Sequence, residues 1–347
     1  MKPKITALIG AGMVAKTHVA ACVDSMHVQL KVIAARSETS ARKLADFAKS
    51  ELGAEVGVYK SVSDIALDPD VEFVIVATPP NARLSIIEPL VKAGKHIMLE
   101  KPVGRNSDEA EAVVRMCDDA AVKLGIFFQH RVREASMKAA ELINEGSFGK
   151  LCVAEFDVPW WREQSYYDEP GRGTYDRDGG GVLISQAIHT IDLGLSLTGP
   201  VRAVNAMAAT TAYHTMESED YVVAGLEFEN GAVGRLTASV ASFPGHAETI
   251  TLYFQNAVLK LEAGTLTVTE RNGKTTKHGA ETGTGGGADP MAFTHGWHQK
   301  IIENFVEAID GKAEITASGE AALKSHHLID AIVKSSQEKR TEFLNHG

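Results

Sequence analysis

Cysteine, net positive charge and unbroken apolar sequence are all scarce in this chain. Its 347 residues include three cysteines, Cys22, Cys117 and Cys152. They are odd in number, far apart and without metal-ligand spacing. That excludes a disulfide framework and a cysteine metal site, and they read as small buried hydrophobes in a reducing compartment. Lysine and arginine total 35 against 45 acidic residues, a formal net charge of -10. Nucleic acids and anionic membranes both reward clustered basic side chains, so neither is expected as a partner. No apolar run approaches the roughly 18 residues that a membrane helix needs. The opening Met1-Lys2-Pro3-Lys4 and the apolar residues after it imitate a secretion signal, but Gly10, Gly12, Lys16 and His18 interrupt them. A cytoplasmic protein is the expectation.

What is present fits a soluble globular protein, with 44% hydrophobic and 23% charged residues. The length points to two domains. Through the first part, apolar runs alternate with amphipathic stretches. Strands are expected at 5–9, 30–35, 73–77, 96–99 and 126–129, with helices following Val14 and over 40–49, up to Ala93, and over 107–123. This alternation predicts a doubly wound parallel α/β sheet of the Rossmann type over residues 1–125. From Lys150 onward, strand-like runs follow one another at 151–158, 201–209, 221–228, 233–240, 249–254 and 258–261, with a hairpin signal at Glu229-Asn230-Gly231. Residues 126–347 are therefore expected to form an α+β domain around a large, mainly antiparallel open sheet. A Gly/Thr/Ala-rich stretch, 278–290, reads as a mobile loop, either plainly disordered or a lid over the cleft, and helices over 299–310 and 319–338 close the chain.

The first strand runs into Gly10-Ala11-Gly12-Met13-Val14-Ala15, a G-x-G-x-x-A pattern. In a dinucleotide fold the first glycine makes the tight turn and the second lets backbone approach a pyrophosphate. The small third residue lets helix and strand pack, and the phosphates sit on the helix start. A structural glycine turn can look the same. Dinucleotide folds that prefer NAD often end the second strand in an acid that binds the ribose hydroxyls. Here Ala35 stands there, followed by Arg36 and Ser37, which suits the 2′-phosphate of NADP. The competing reading is that Arg36 stacks on adenine and serves either cofactor, so NADP is the preferred expectation and NAD the alternative. The strand over 96–99 runs into Glu100-Lys101-Pro102. Ligands of open α/β sheets bind beyond the carboxyl ends of the strands, so Lys101 is placed at a cleft, where burial can tune it. Read alone, the three residues are equally a surface turn.

In the second half, Gly179-Gly180-Gly181 precedes a helix expected over 182–197, with Gln186, His189 and Asp192 near one face. A histidine so placed is either a satisfied core residue or a catalyst. Asp192 would orient its imidazole or act as a structural cap. The loop with Trp160-Trp161-Arg162, Tyr166-Tyr167 and Arg172 offers aromatic faces and polar edges suited to a polyhydroxylated ring, or is a surface loop with anchored aromatics. His295 and His298 lack a nearby third ligand, so no metal is expected.

Taken in order, Gly10-x-Gly12-x-x-Ala15, Ala77-Thr78-Pro79-Pro80, Gly94-Lys95-His96 through Glu100-Lys101-Pro102, and Gly179-Gly180-Gly181 through His189-x-x-Asp192 resemble the Gfo/Idh/MocA oxidoreductase family over nearly the whole chain. The resemblance implies an NAD(P)-linked interconversion of alcohol and ketone on a sugar, sugar derivative or cyclitol, in a homodimer or homotetramer. It implies Lys101 and His189 as the catalytic pair serving one substrate hydroxyl. The ammonium would stabilise charge on oxygen and the imidazole would exchange the proton. On the same ground the cofactor would be held by Gly10, Gly12, Met13, Val14, Arg36, Ser37, Thr78, Pro79, Asn81, Glu100 and Lys101. The substrate would meet Lys101, Trp161, Arg162, Tyr167, Arg172, Ser185, Gln186 and His189. Two departures stand out. Inositol-dehydrogenase-like members carry aspartate where this chain has Ser185, and the histidine usual after Thr-Pro-Pro is replaced by Asn81, Ala82 and Arg83. A glycosidase that oxidises transiently and a non-catalytic NADP-binding sensor are the alternatives on this scaffold.

Overall fold

In a computed structural model of the protein, residues 2–281 and 293–344 are described. They form two compact units that are interleaved in sequence. The first takes residues 1–104, 108–129 and 294–322, so a segment from late in the chain completes the unit built from its beginning.

The first unit is organised around a six-stranded sheet of β1 (Lys4–Ile9), β2 (Val28–Ala34), β3 (Gly57–Val58), β4 (Phe73–Val76), β5 (His96–Leu99) and β6 (Leu124–Ile126). Its order is β3-β2-β1-β4-β5-β6, and every pairing is parallel. This is the doubly wound sheet that the alternation of strands and helices implied. The apolar runs are buried throughout β4 and from Ile97 to Leu99 of β5, as helices on both faces require. Strand order reverses at β1 and β4, and in such sheets the crevice for a ligand opens at that reversal. The helix Gly296–Ile309 belongs to this unit and sets Phe305 edge-on against Phe73 at 5.8 Å. A side chain at Gly125 of β6 would collide with the same phenylalanine.

The second unit contains residues 105–107, 130–293 and 323–347. Its sheet comprises β7 (Leu151–Pro159), β8 (Val201–Ala209), β9 (Tyr221–Phe228), β10 (Val233–Ser239), β11 (Thr249–Phe254), β12 (Ala257–Glu262), β13 (Thr265–Glu270), β14 (Thr275–Gly279) and β15 (Glu342–Phe343). The order is β14-β13-β12-β11-β7-β10-β9-β8-β15, antiparallel except where β10 runs parallel to β7. Alternation is clean on β9 and β12, where residues pointing one way are buried and their neighbours are more exposed.

Several expectations are corrected. The strands β13 and β14 extend the sheet past the last expected strand, and only residues 278 and 279 of β14 fall in the anticipated loop. Thr265-Leu-Thr-Val-Thr offers two apolar residues for an alternation signal, but the turn into it is specified by Ala263 and Gly264, both at positive φ. Gly279 ends β14, and 282–290 of the anticipated loop lie outside the described residues. Cys22 and Cys117 are buried, but Cys152 is exposed. It alternates outward on β7 between half-buried neighbours. Among the described residues no helix is long and apolar enough to cross a membrane.

Candidate active site

In the first unit, side chains converge at the carboxyl ends of β1, β4 and β5. Gly10 ends β1 at φ +116°, and a Cβ there would lie 2.3 Å from the carbonyl oxygen of Ala77, just past β4. Only glycine serves. Gly12 meets the opposite condition, since a Cβ there would find nothing within 4 Å, and that open face is what a pyrophosphate needs. The following helix, Ala15–Asp24, has no acidic residue in its first turn and no side-chain cap on Val14. The helix dipole there favours an anion, and Met13 beside the helix start is half exposed. At the end of β2, Ala35 is half-buried and Arg36 exposed, while Ser37 caps the next helix by accepting the N–H of Ser40. These residues fit a dinucleotide.

Beyond β4, Pro79 and Asn81 are exposed, and the buried Thr78 hydroxyl has no hydrogen-bond partner among the described residues. The Thr78 carbonyl accepts two hydrogen bonds from Arg83, at 2.9 and 3.1 Å, and Arg83 also donates to the Lys101 carbonyl at 3.3 Å. Burial lowers its pKa to about 10. Arg83 thus ties the β4 and β5 loops together, and its place in the sequence gave only the hint that a usual histidine was missing.

Lys101 is half-buried and precedes Pro102 through a cis peptide bond. Its neighbour Glu100, anticipated at the lip of the sheet among the cofactor residues, turns inward and is only 7% exposed. One oxygen of the Glu100 carboxylate lies 2.9 Å from Nε2 of His18 and 3.8 Å from Nε2 of His298, and the other accepts the N–H of Lys101 at 3.2 Å. Burial works against this charge, but His18, His298 and Lys101 outweigh it and hold the carboxyl at about 2. Burial pushes His298 down to about 3. The ligand atoms of His18, Glu100 and His298 lie within 4.8 Å of one another. His295 instead pairs with Asp24.

In the second unit, the glycine triplet is dictated by packing. A Cβ at Gly179 would strike the Arg105 carbonyl oxygen at 2.3 Å, and one at Gly181 the Glu219 carbonyl oxygen at 1.8 Å. Glu219, buried just ahead of β9, caps the helix by accepting the N–H groups of Gly181 and Leu183 at 3.2 and 3.1 Å. Its carboxyl is raised by burial. The helix opens with a wide π turn, Leu183–Ala187, before the α-helix Ile188–Thr198. The uniform helix expected over 182–197 is therefore corrected. The π turn changes the angle between Ser185 and His189 from that of a regular α-helix.

Gln186 sits on this turn, 4% exposed, and neither end of its amide has a hydrogen-bond partner among the described residues. His189 is buried and stacks on His130, with centroids 4.8 Å apart and planes at 23°. Of the two roles open to Asp192, orienting His189 or a structural one, its contacts fit the structural one. Both of its oxygens are taken by Arg131 at 2.7 Å. Burial disfavours that guanidinium's charge, but the Asp192 carboxylate outweighs it and leaves Arg131 raised. His130, Arg131 and Glu219 were all missed, because each lies far in sequence from the helix it serves.

The aromatic loop forms a stacked wall. The buried Arg162 lies over the rings of Trp160 and Tyr166, and Arg172 lies 4.4 Å from the Tyr166 centroid while pairing with Glu169. Trp161 is met edge-on by Tyr213 and Phe243, and Tyr167 is buried, its hydroxyl without a partner among the described residues and raised by burial. His214 bridges Asp220 and the Arg162 carbonyl, at 2.8 Å to each.

The parallel sheet, the glycine turn at its switch point and the open Gly12 face define a dinucleotide-binding domain. Residues 5–128 match the family described as "Oxidoreductase family, NAD-binding Rossmann fold", and residues 136–260 match the "GFO/IDH/MocA C-terminal domain". The chain belongs to the Gfo/Idh/MocA oxidoreductase family. It is 25% identical to the inositol 2-dehydrogenase of Rhizobium meliloti (strain 1021), covering 96% of this chain and 97% of that one. It is also 25% identical to the scyllo-inositol 2-dehydrogenase (NADP(+)) IolW of Bacillus subtilis (strain 168), over 91% and 88% of the two chains. The WlbA dehydrogenase of Bordetella pertussis, solved with NADH and UDP-GlcNAcA, superposes with a TM-score of 0.81 at 26% identity over the full length of both chains.

Proposed function

We propose that this protein is an NADP-preferring dehydrogenase or reductase that interconverts a secondary alcohol and a ketone on a sugar, sugar derivative or cyclitol. The observation that carries the substrate class is the buried Gln186 amide, unpartnered at both ends and three residues from His189. A buried polar group without a partner costs about 1–3 kcal/mol, and a polyhydroxylated ligand supplies the missing hydrogen bonds. The Tyr167 hydroxyl and the Trp160 indole N–H add two more such groups among the described residues. The names of the relatives point the same way, to cyclitols and nucleotide sugars.

In this reading Gly10, Gly12, Met13 and Val14 hold the pyrophosphate, Arg36 meets the 2′-phosphate, and the Thr78–Asn81 turn borders the nicotinamide end. The bound nicotinamide supplies or accepts the hydride. Lys101, with its backbone pinned by Arg83 and Glu100, places an ammonium against the substrate oxygen and stabilises negative charge developing there. His189 takes the hydroxyl proton during oxidation and returns it during reduction. Gln186 and the aromatic wall orient the ring. We further propose that the chain works as a homodimer or homotetramer.

The test is reduction of NAD⁺ and NADP⁺ with a panel of D-glucose, D-xylose, levoglucosan, myo-inositol and scyllo-inositol. At least one polyol is expected to be oxidised, more efficiently with NADP⁺. Lys101→Ala is expected to abolish that turnover while calorimetry shows cofactor affinity within about threefold of wild type. Arg36→Ala is expected to weaken NADP⁺ by about tenfold and NAD⁺ hardly at all, as loss of one charge-assisted phosphate contact would. Equal affinities for the two cofactors in the wild type would overturn the NADP assignment.

A further inference from the structure

His130 is absorbed by none of the roles above, yet it is 3% exposed and lies flat against His189. Its Nε2 is 2.6 Å from Nη2 of Arg133. A guanidinium can only donate, so Nε2 must present its lone pair, and the ring proton is therefore on Nδ1. The Nδ1 edge faces Glu248, whose Oε1 is 4.0 Å away, and Glu248 accepts from Nη1 of Arg133 at 2.6 Å. Arg133 and Glu248 are each nearly buried, so the pair forms a low-dielectric clamp that fixes one tautomer of His130. The other charged group lining this small cavity, Glu262, is paired with Lys260.

We propose that His130 is a positioning residue for the reaction, holding the His189 imidazole in one orientation by stacking as a neutral, tautomer-locked ring. This rests on His189 being the proton-exchanging group. Asp192 is committed to Arg131, and the stacked ring of His130, from outside the helix, is a contact that bears on the orientation of the His189 imidazole. Because the clamp keeps Nε2 of His130 unprotonated, a proton can enter His189 without facing a second imidazolium across the stack.

The experiment combines histidine-selective ¹⁵N and ¹³C NMR on the full chain with kinetics on the best polyol of the panel. In wild type, His130 is expected to show one tautomer, protonated at Nδ1, whereas Arg133→Met is expected to populate the other as well. The His189 ring resonance is expected to shift and broaden in His130→Ala and to stay sharp in His130→Phe, which keeps a flat ring. In turnover, His130→Ala is expected to lower kcat by about tenfold or more, since misplacing a catalytic group is costly. NADP⁺ affinity should be retained, and His130→Phe should restore kcat to within about threefold. A wild-type His130 protonated at Nε2 overturns the proposal, whether or not the variants fold. So does a folded His130→Phe that behaves like His130→Ala, or a His130→Ala with wild-type kcat while His189→Ala is inactive. An active His189→Ala would instead overturn the proton-exchange reading itself.

Discussion

At the scale of single residues, the seam after β5 divides its two charges sharply. Lys101 stays half-buried, while Glu100 is drawn inward to His18 and His298. That fate was not legible, because the Glu-Lys-Pro tripeptide looks alike whether the acid faces solvent or core. His18 and His298 reach it from segments far away in sequence. The backbone demands on Gly10 and Gly12 were legible, since the turn restricts those positions locally, whereas Lys101 and His189 stood out only through the order of motifs along the chain. The inward turn of Glu100 has a measurable consequence. Its carboxyl, held at about 2 rather than its ordinary 4.5, favours the folded state once pH exceeds the unfolded value. That contribution is fully present above about pH 5, and falls away as pH drops through 4.5 toward 2. Its size is on the order of 3 kcal/mol. Glu100→Gln is therefore expected to destabilise the protein by that order at pH 7 and much less near pH 3. Urea unfolding at both pH values measures it, and an equal loss at the two would show that the ionised carboxylate contributes nothing.

At the scale of elements, two glycine-bearing turns that read alike in sequence have opposite jobs. Gly12 faces open space, so Gly12→Ala is expected to leave the melting temperature within a degree or two. NADP⁺ affinity should fall at least about tenfold if the pyrophosphate lies where we propose, because the methyl group would enter that open space. Gly181 is filled by the Glu219 carbonyl, so Gly181→Ala is expected to cost about 3 kcal/mol or more by forcing the helix off its cap. Thermal melts and calorimetry on the two variants separate the cases. The strands of the parallel sheet were legible because burial on both faces gives continuous apolar runs, as in Phe73–Val76. The π turn at Leu183–Ala187 was not, since one extra residue per turn leaves the apolar pattern almost unaltered. The Glu219 cap was hidden for a different reason. It is a tertiary contact made by a loop 36 residues on from Leu183.

At the scale of the whole molecule, the sequence placed the division near residue 125, and the linear order of strands gave no reason to return. The compact first unit nevertheless includes residues 294–322, among them Phe305 against Phe73 and His298 beside Glu100. A fragment ending at residue 129 should thus lack the cover over one face of its sheet and a member of its buried polar cluster. It is expected to unfold without cooperativity or to aggregate, and addition of residues 294–322 through a short linker should restore a cooperative melt. Circular dichroism on both fragments decides it. The same interleaving fixes the schedule of synthesis. A ribosome adding roughly 5–20 residues per second needs on the order of ten to forty seconds to pass from residue 129 to residue 322. For that interval the nucleotide-binding half is a nascent chain waiting for its last helix, with the other half already emerging. Chaperone occupancy on translating ribosomes should accordingly peak over the early sheet and clear only when the late segment is out.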